Sequence, residues 1–417
     1  MKIFLVFLTL FFLLILTSCE QKETYSESST DSYTSTTDAD NTLVLQTKPK
    51  YSEVRFVNVQ DMKVFNNELY FVTTDKYAGA TAPFIYKYVD DKTPPIKLFD
   101  FRWEDYRNRL DDLYSLEEYN NELYAGGPLG IFKLDKRSNK FKEAEFSYGF
   151  QYSKDFGIGV TLIRAMQGKL YSILSYKTLP TPDDSYGTAT TSLAVLEGNS
   201  WKLVGEGIFN HGVEDLKEHK GEFYIGGYQG GVEKMRENFW AGIPTNEPYD
   251  LGRFTLLESY NGKLYACGES SQYYKGNTYS LESLSIPEEV KTNQYDVKAE
   301  WKLALDYKDS CTFIKKANEK LYVGADEWYN PGQEIEKTES IKPLNVFDGK
   351  NWKAINFVNA PGLSKGQAVL KATAVEYFNG KLFIAVGTNY NYTFSMQPSF
   401  YTLENDETLT PLSWWKE

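Results

Sequence analysis

One hairpin recurs seven times along these 417 residues, and it restricts the possible folds more than any other feature of the chain. Each copy closes on Leu-Tyr or a near variant: Leu69-Tyr70, Leu123-Tyr124, Leu170-Tyr171, Phe223-Tyr224, Leu264-Tyr265, Leu321-Tyr322 and Leu382-Phe383. Successive copies lie 41 to 61 residues apart, the period of a β-blade and not of a helical solenoid repeat. Seven positions before the Leu stand Met62, Leu116, Ile163, Leu216, Leu257, Ile314 and Val375, and ten before it Val59, Leu113, Val160, Val213, Phe254, Cys311 and Ala372. All fourteen are apolar. The turns fall on Asn66-Asn67, Asn120-Asn121, Gln167-Gly168, Lys220-Gly221, Asn261-Gly262, Asn318-Glu319 and Asn379-Gly380. Asn and Gly tolerate positive φ, so most of these pairs suit a type I′ turn, and Asn318-Glu319 fits it least.

Third and fourth strands follow the hairpins, as in Gly130–Asp135 and Asn345–Trp352. A four-stranded antiparallel sheet cannot bury both its apolar faces by itself, whereas seven arranged radially can, with their edges protected. The expected fold is all-β, a seven-bladed β-propeller of four-stranded antiparallel blades with the Leu-Tyr strand second in each. Phe400–Leu403 and Leu409–Trp414 can supply the outer strands of the last blade, and Thr42–Gln46 an N-terminal strand that helps close the ring. Leu123-Tyr124-Ala125-Gly126-Gly127 and Phe223-Tyr224-Ile225-Gly226-Gly227, with Trp201 and Trp352 downstream, resemble the kelch-like family of bacterial propellers. The other five copies replace the double Gly. The resemblance therefore concerns the architecture from about residue 43 onward, and it implies no particular activity.

The N-terminus reads differently. Ile3–Leu16 is a mostly apolar run, shorter than the ~20 residues of a permanent span. Leu16-Thr17-Ser18-Cys19 looks like a bacterial lipobox, which implies cleavage before Cys19 and lipidation of its thiol. Residues 1–18 are thus expected to be a lipoprotein signal peptide, 19–41 a disordered tether rich in Ser, Thr and Asp, and 42–417 the propeller. The place implied is the cell envelope, at the outer membrane or cell surface. A net charge of −12 disfavours nucleic acid as a partner. With two His and no P-loop, nucleophile elbow, repeated Asp-box or zinc spacing, neither cofactor nor metal is expected. His219 takes the pre-turn place of Phe65, Tyr119 and Tyr260, which suggests a structural role. In an unbroken ladder Cys267 and Cys311 point to the same-sense face of neighbouring blades, so parity predicts free thiols unless a β-bulge intervenes.

Two constellations remain. Six positions before each Leu stand Lys63, Glu117, Arg164, Lys217, Glu258, Lys315 and Glu376, signs + − + + − + − around the ring. On an innermost strand these form a charged belt. Its structural reading is an interblade ion-pair ring, with the Tyr hydroxyls as cross-strand partners; its functional reading makes Arg164 and Lys217 an anion site. The second constellation is aromatic. Loops between second and third strands, and those joining blades, open on one face and carry Trp103, Tyr106, Tyr274, Trp328, Tyr329, Tyr390 and Tyr392, with Tyr148, Phe150 and Tyr152 at another junction. Such residues suit recognition of a protein or glycan. The sequence thus points to a lipid-anchored binding or scaffolding module. The alternative is a carbohydrate-active enzyme, a glycosidase or lyase, using carboxylates of the same face: Asp75, Glu104, Asp105, Asp183, Asp184, Asp309 and Glu327.

Overall fold

A computed structural model describes residues 56–77, 80–99, 115–127, 130–151, 158–177, 189–205, 213–227, 231–236, 239–243, 253–269, 276–285, 298–306, 310–326, 343–357, 367–390, 393–404 and 408–412, together with Leu179. All belong to one compact unit, Lys50–Glu417. The unit Met1–Pro49 lies outside the described residues, and with it Cys19, the tether and the strand expected at Thr42–Gln46.

The described elements are strands, and they form seven blades. The innermost strands are Phe56–Phe65, Ser115–Tyr119, Ile158–Met166, Val213–His219, Arg253–Tyr260, Ser310–Ala317 and Gln367–Phe378. Each pairs antiparallel with the Leu-Tyr strand that follows it, and two further strands complete the blade in chain order from inside to outside. The last blade ends with Thr393–Glu404 and Thr408–Pro411, and Leu412 still bonds back to the Phe400 carbonyl. Trp414 lies outside the described residues. Blades six and seven touch edge to edge at one bridge, Asp326 opposite Lys371. Blade three has a fifth strand, Ser147–Tyr148, running parallel to its outer strand Ser200–Gly205.

All seven hairpin turns have positive φ at both central residues, including Asn318 (44°) and Glu319 (56°). The right-handed twist of the strands demands that geometry even where the sequence suits it poorly. The seven residues seven positions before the Leu are each at most 7% exposed. They feed seven apolar clusters, one in every seam between consecutive blades. One of these closes the ring: Val59, Met62, Phe71 and Phe84 of the first blade meet Ala374, Phe378, Phe383 and Phe400 of the last. Both blades draw all four strands from their own segment of chain, so among the described residues the ring closes by side-chain packing without strand exchange.

A register shift recurs near the start of the innermost strand, as between Val59 and Asp61, Val160 and Leu162, Val213 and Asp215, Cys311 and Phe313, and Ala372 and Ala374. This bulge overturns the expectation of free thiols. In an unbroken ladder Cys311 would sit opposite Asp326; the extra residue Thr312 brings it opposite Ala325 and turns its side chain to the other face. There it forms a disulfide with Cys267, Cα to Cα 5.9 Å, which joins blades five and six.

Candidate functional site

Apart from the single bridge at Lys371, the innermost strand of a blade has a strand partner on one side only, so the backbone groups of its inward edge need other partners. Side chains provide them. Glu117, Glu258 and Glu376 each accept the N–H of the next residue, from Glu118 (3.1 Å), Ser259 (3.0 Å) and Tyr377 (3.1 Å). Two positions earlier in the repeat, Asp61 accepts from Met62 (2.8 Å) and Asp215 from Leu216 (2.9 Å). Their second oxygens reach the next blade, where Leu116 (2.9 Å) and Leu257 (3.0 Å) donate. Ser115 accepts from Ile163 of its neighbour in the same way, at 3.3 Å. One layer of polar groups therefore satisfies the inward edge and stitches blade to blade.

The cations of the belt complete this layer. Lys63 lies 2.6 Å from Glu117, Lys217 3.0 Å from Glu258 and Lys315 2.9 Å from Glu376. Lys315 also donates to the Met62 carbonyl (2.7 Å) and approaches Asp61 (3.5 Å), linking blade six to blade one. Arg164 and Lys217 do not meet as an anion site, because Arg164 pairs with Asp215 at 3.2 Å. Burial works against the charge of Arg164, yet Asp215, Asp61 and Glu117 outweigh it and raise its pKa. Lys315 behaves likewise, its burial overcome by Glu376 and Asp61. Asp61 and Asp215, which the belt column does not contain, thus complete the constellation.

The Tyr hydroxyls serve elsewhere than expected. Each belt residue is the register partner of the Tyr or Phe of its hairpin. Tyr70, Tyr124 and Tyr224, however, donate to Glu68 (2.6 Å), Glu122 (2.8 Å) and Glu222 (3.2 Å), and each Glu is paired with a third-strand Lys, respectively Lys87, Lys133 and Lys234. Burial first, and the neighbouring Glu next, push these three hydroxyls up. The other four blades begin the second strand with Lys169, Lys263, Lys320 and Lys381, and opposite their Tyr or Phe stand Val195, Ser280, Val346 and Thr402. The third-strand Lys occurs only where the Glu does. His219 is buried and shares a hydrogen bond with Ser259 of the next blade (Nδ1 to Oγ 2.9 Å); burial, then Lys220, lowers its pKa.

Of the aromatic candidates, Trp103, Tyr106, Tyr274, Trp328, Tyr329 and Tyr392 lie outside the described residues, as does the side chain of Tyr390, which ends the strand Lys381–Tyr390. The carboxylates Glu104, Asp105, Asp183, Asp184, Asp309 and Glu327 also lie outside them. Tyr148 and Phe150 depart from the sequence reading. They form a strap along blade three, where Gly149 donates to the Trp201 carbonyl (2.8 Å) and the Phe150 ring sits 4.8 Å from that of Tyr176. Both are half-buried packing residues. On the opposite face, between blades two and three, a groove of about 530 Å³ is lined by Lys133, Lys142, Glu122 and Asp135 among others, and these four pair with one another. No group of His, Cys, Asp or Glu among the described residues could hold a metal ion, and no helix there is long and apolar enough to cross a membrane.

No protein family and no curated protein matches this chain. Among solved structures it is similar to the extracellular domain of a putative one-component system from B. thetaiotaomicron, at 13% identity and a TM-score of 0.49, over 84% of this chain and 38% of that one. A puromycin-hydrolyzing peptidase of Mycobacterium tuberculosis gives 8% and 0.49, over 86% of this chain and 53% of that one. The acylaminoacyl peptidase of Pyrococcus horikoshii gives 10% and 0.46, over 86% and 52%. This chain therefore spans well under two thirds of each of these structures. At such identities the likenesses say nothing of what the chain binds or does.

Proposed function

We propose that this protein is a lipid-anchored binding module of the cell envelope, which recognises a protein or a glycan through aromatic side chains on the face where second-to-third-strand loops and blade junctions open. The observation that carries the reading is the commitment of the inner-strand charges. Glu117, Glu258, Glu376, Asp61 and Asp215 are each engaged by a cation and by backbone N–H groups, so the belt presents no free acid and base to a substrate. Recognition then falls to Trp103, Tyr106, Tyr274, Trp328, Tyr329, Tyr390 and Tyr392, which stand in segments where the repeat demands no aromatic residue. The Cys267–Cys311 disulfide supports export, since such bonds persist in oxidising compartments. Cys19 is the proposed anchor.

Fractionation of cells expressing the full chain tests the location: wild type sediments with membranes and carries acyl mass on Cys19, whereas Cys19→Ala is released. An unmodified mature terminus at another residue would defeat the anchor. For recognition, the full chain is immobilised and exposed to solubilised envelope proteins and to a glycan array. Retention of a partner by wild type and its loss in Trp103→Ala and Trp328→Ala is the expected outcome. Turnover of a sugar polymer that vanishes in Glu327→Gln would replace this reading with the carbohydrate-active enzyme.

A further inference from the structure

Among the acids of the described residues, Glu233 alone has a buried carboxylate oxygen without a hydrogen-bond partner. It lies on the third strand of blade four, Gly231–Arg236, opposite Ile225 on one side and Gly242 on the other. Residues directly opposite one another share a face, and the face of Ile225 packs on blade three, where Leu162, Ile173, Leu193 and Val195 meet Leu216, Ile225 and Trp240. Glu233 is 2% exposed in this apolar seam, and its Oε2 has no hydrogen-bond partner among the described residues. Belt acids at comparable burial are each engaged by a cation and an N–H.

We propose that Glu233 makes the seam between blades three and four a pH-sensitive hinge, closed while this side chain is neutral and loosened when it carries charge. An isolated carboxylate in an apolar interface is costly, and proteins avoid that cost by keeping the group protonated. The ionisable groups facing the seam do not relieve it. From blade three these are Arg164, committed to Asp215, Tyr171, Glu197 with Lys202, which pair with each other at 2.6 Å, and Lys169, whose charge acts on Glu197. From the inner strand of blade four they are Glu214, Asp215 and Glu218. None contributes to the shift of Glu233, which burial alone pushes up to about 7 from its ordinary 4.5. The sign follows. Below pH 4.5 folded and unfolded chains both hold the proton, and stability is complete; between 4.5 and about 7 the unfolded chain has lost it and the folded one has not, so stability falls as pH rises. Above that the loss is complete. No disulfide spans this seam among the described residues, in contrast to blades five and six.

The test is amide hydrogen exchange of the full chain at pH 5 and pH 8, corrected for intrinsic rates, with thermal unfolding alongside. Opening at Leu193, Val195 and Ile225 should increase roughly a hundredfold between the two conditions, while Val346 and Ile384, in the seam of blades six and seven, change little. Glu233→Gln should remove most of the difference, and Glu233→Met, an apolar replacement of similar length, serves if the amide leaves the seam too polar to fold. Three results would each overturn the proposal: a wild type whose blade-three amides are indifferent to pH, variants that keep the same pH slope, or an equal response in both seams.

Discussion

A charged side chain on the inner strand performs two tasks at once: it satisfies a backbone group that has no strand beside it, and it ties its blade to the next. Glu117 shows both, accepting from Glu118 N and from Lys63 of the preceding blade. Glu117→Gln keeps the shape but removes the charge that compensates Lys63. Breaking a fully buried pair costs about 3 to 5 kcal/mol, and because Lys63 keeps 29% of its side-chain surface in water the expected loss falls below that range, at about 2 to 3 kcal/mol. Chemical denaturation measures it, and a variant as stable as wild type would remove the belt from the account of stability. The charged column was visible in the sequence because all seven copies carry a charge there. Asp61 and Asp215 were not, since the same column holds Leu162, Leu256, Phe313 and Ala374 in other blades, and a column that is polar in a minority of copies reads as noise until its hydrogen bonds are seen.

Hairpins and bulges differ in how they announce themselves. A type I′ turn needs two residues at positive φ, so Asn and Gly mark it, and six of the seven turns could be read from residue type alone. The bulge needs one extra residue but here no positive φ, and Thr161, Thr312 and Thr373 at that place look like any β-branched strand residue. For that reason parity failed at Cys311. The corrected geometry carries its own expectation. The disulfide closes a loop of 44 residues, for which the chain-entropy account gives about 4 kcal/mol and practice typically 2 to 4. Cys311→Ser should lower the denaturation midpoint accordingly, and reductant should destabilise wild type but leave that variant unchanged. An equal response of both proteins to reductant would mean that the bond does not form.

At the scale of the whole molecule, the ring is as strong as its seams. The junction of first and last blades has no strand exchange among the described residues and relies on aromatic packing, with Phe71 and Phe400 at 5.1 Å between ring centroids. Phe400, 2% exposed, is therefore a closure residue. Phe400→Ala should cost about 3 to 5 kcal/mol and should raise exchange first in the first and last blades, a pattern that hydrogen exchange resolves; uniform loosening of all seven would speak against closure at this seam. The period of the repeat made the blade number legible, because six hairpins carry a buried Leu and the fourth carries the half-buried Phe223 in its place. The proposed recognition residues stand out only as a departure from the repeat: loops have no register to align, so residue type and place alone mark Trp103 and Trp328. The most direct measurement is the affinity of a partner captured by the full chain, taken for wild type, Trp328→Ala and Trp103→Ala together with their thermal midpoints. The account predicts binding weakened by about 2 kcal/mol or more with unchanged midpoints; wild-type affinity in both variants would contradict it.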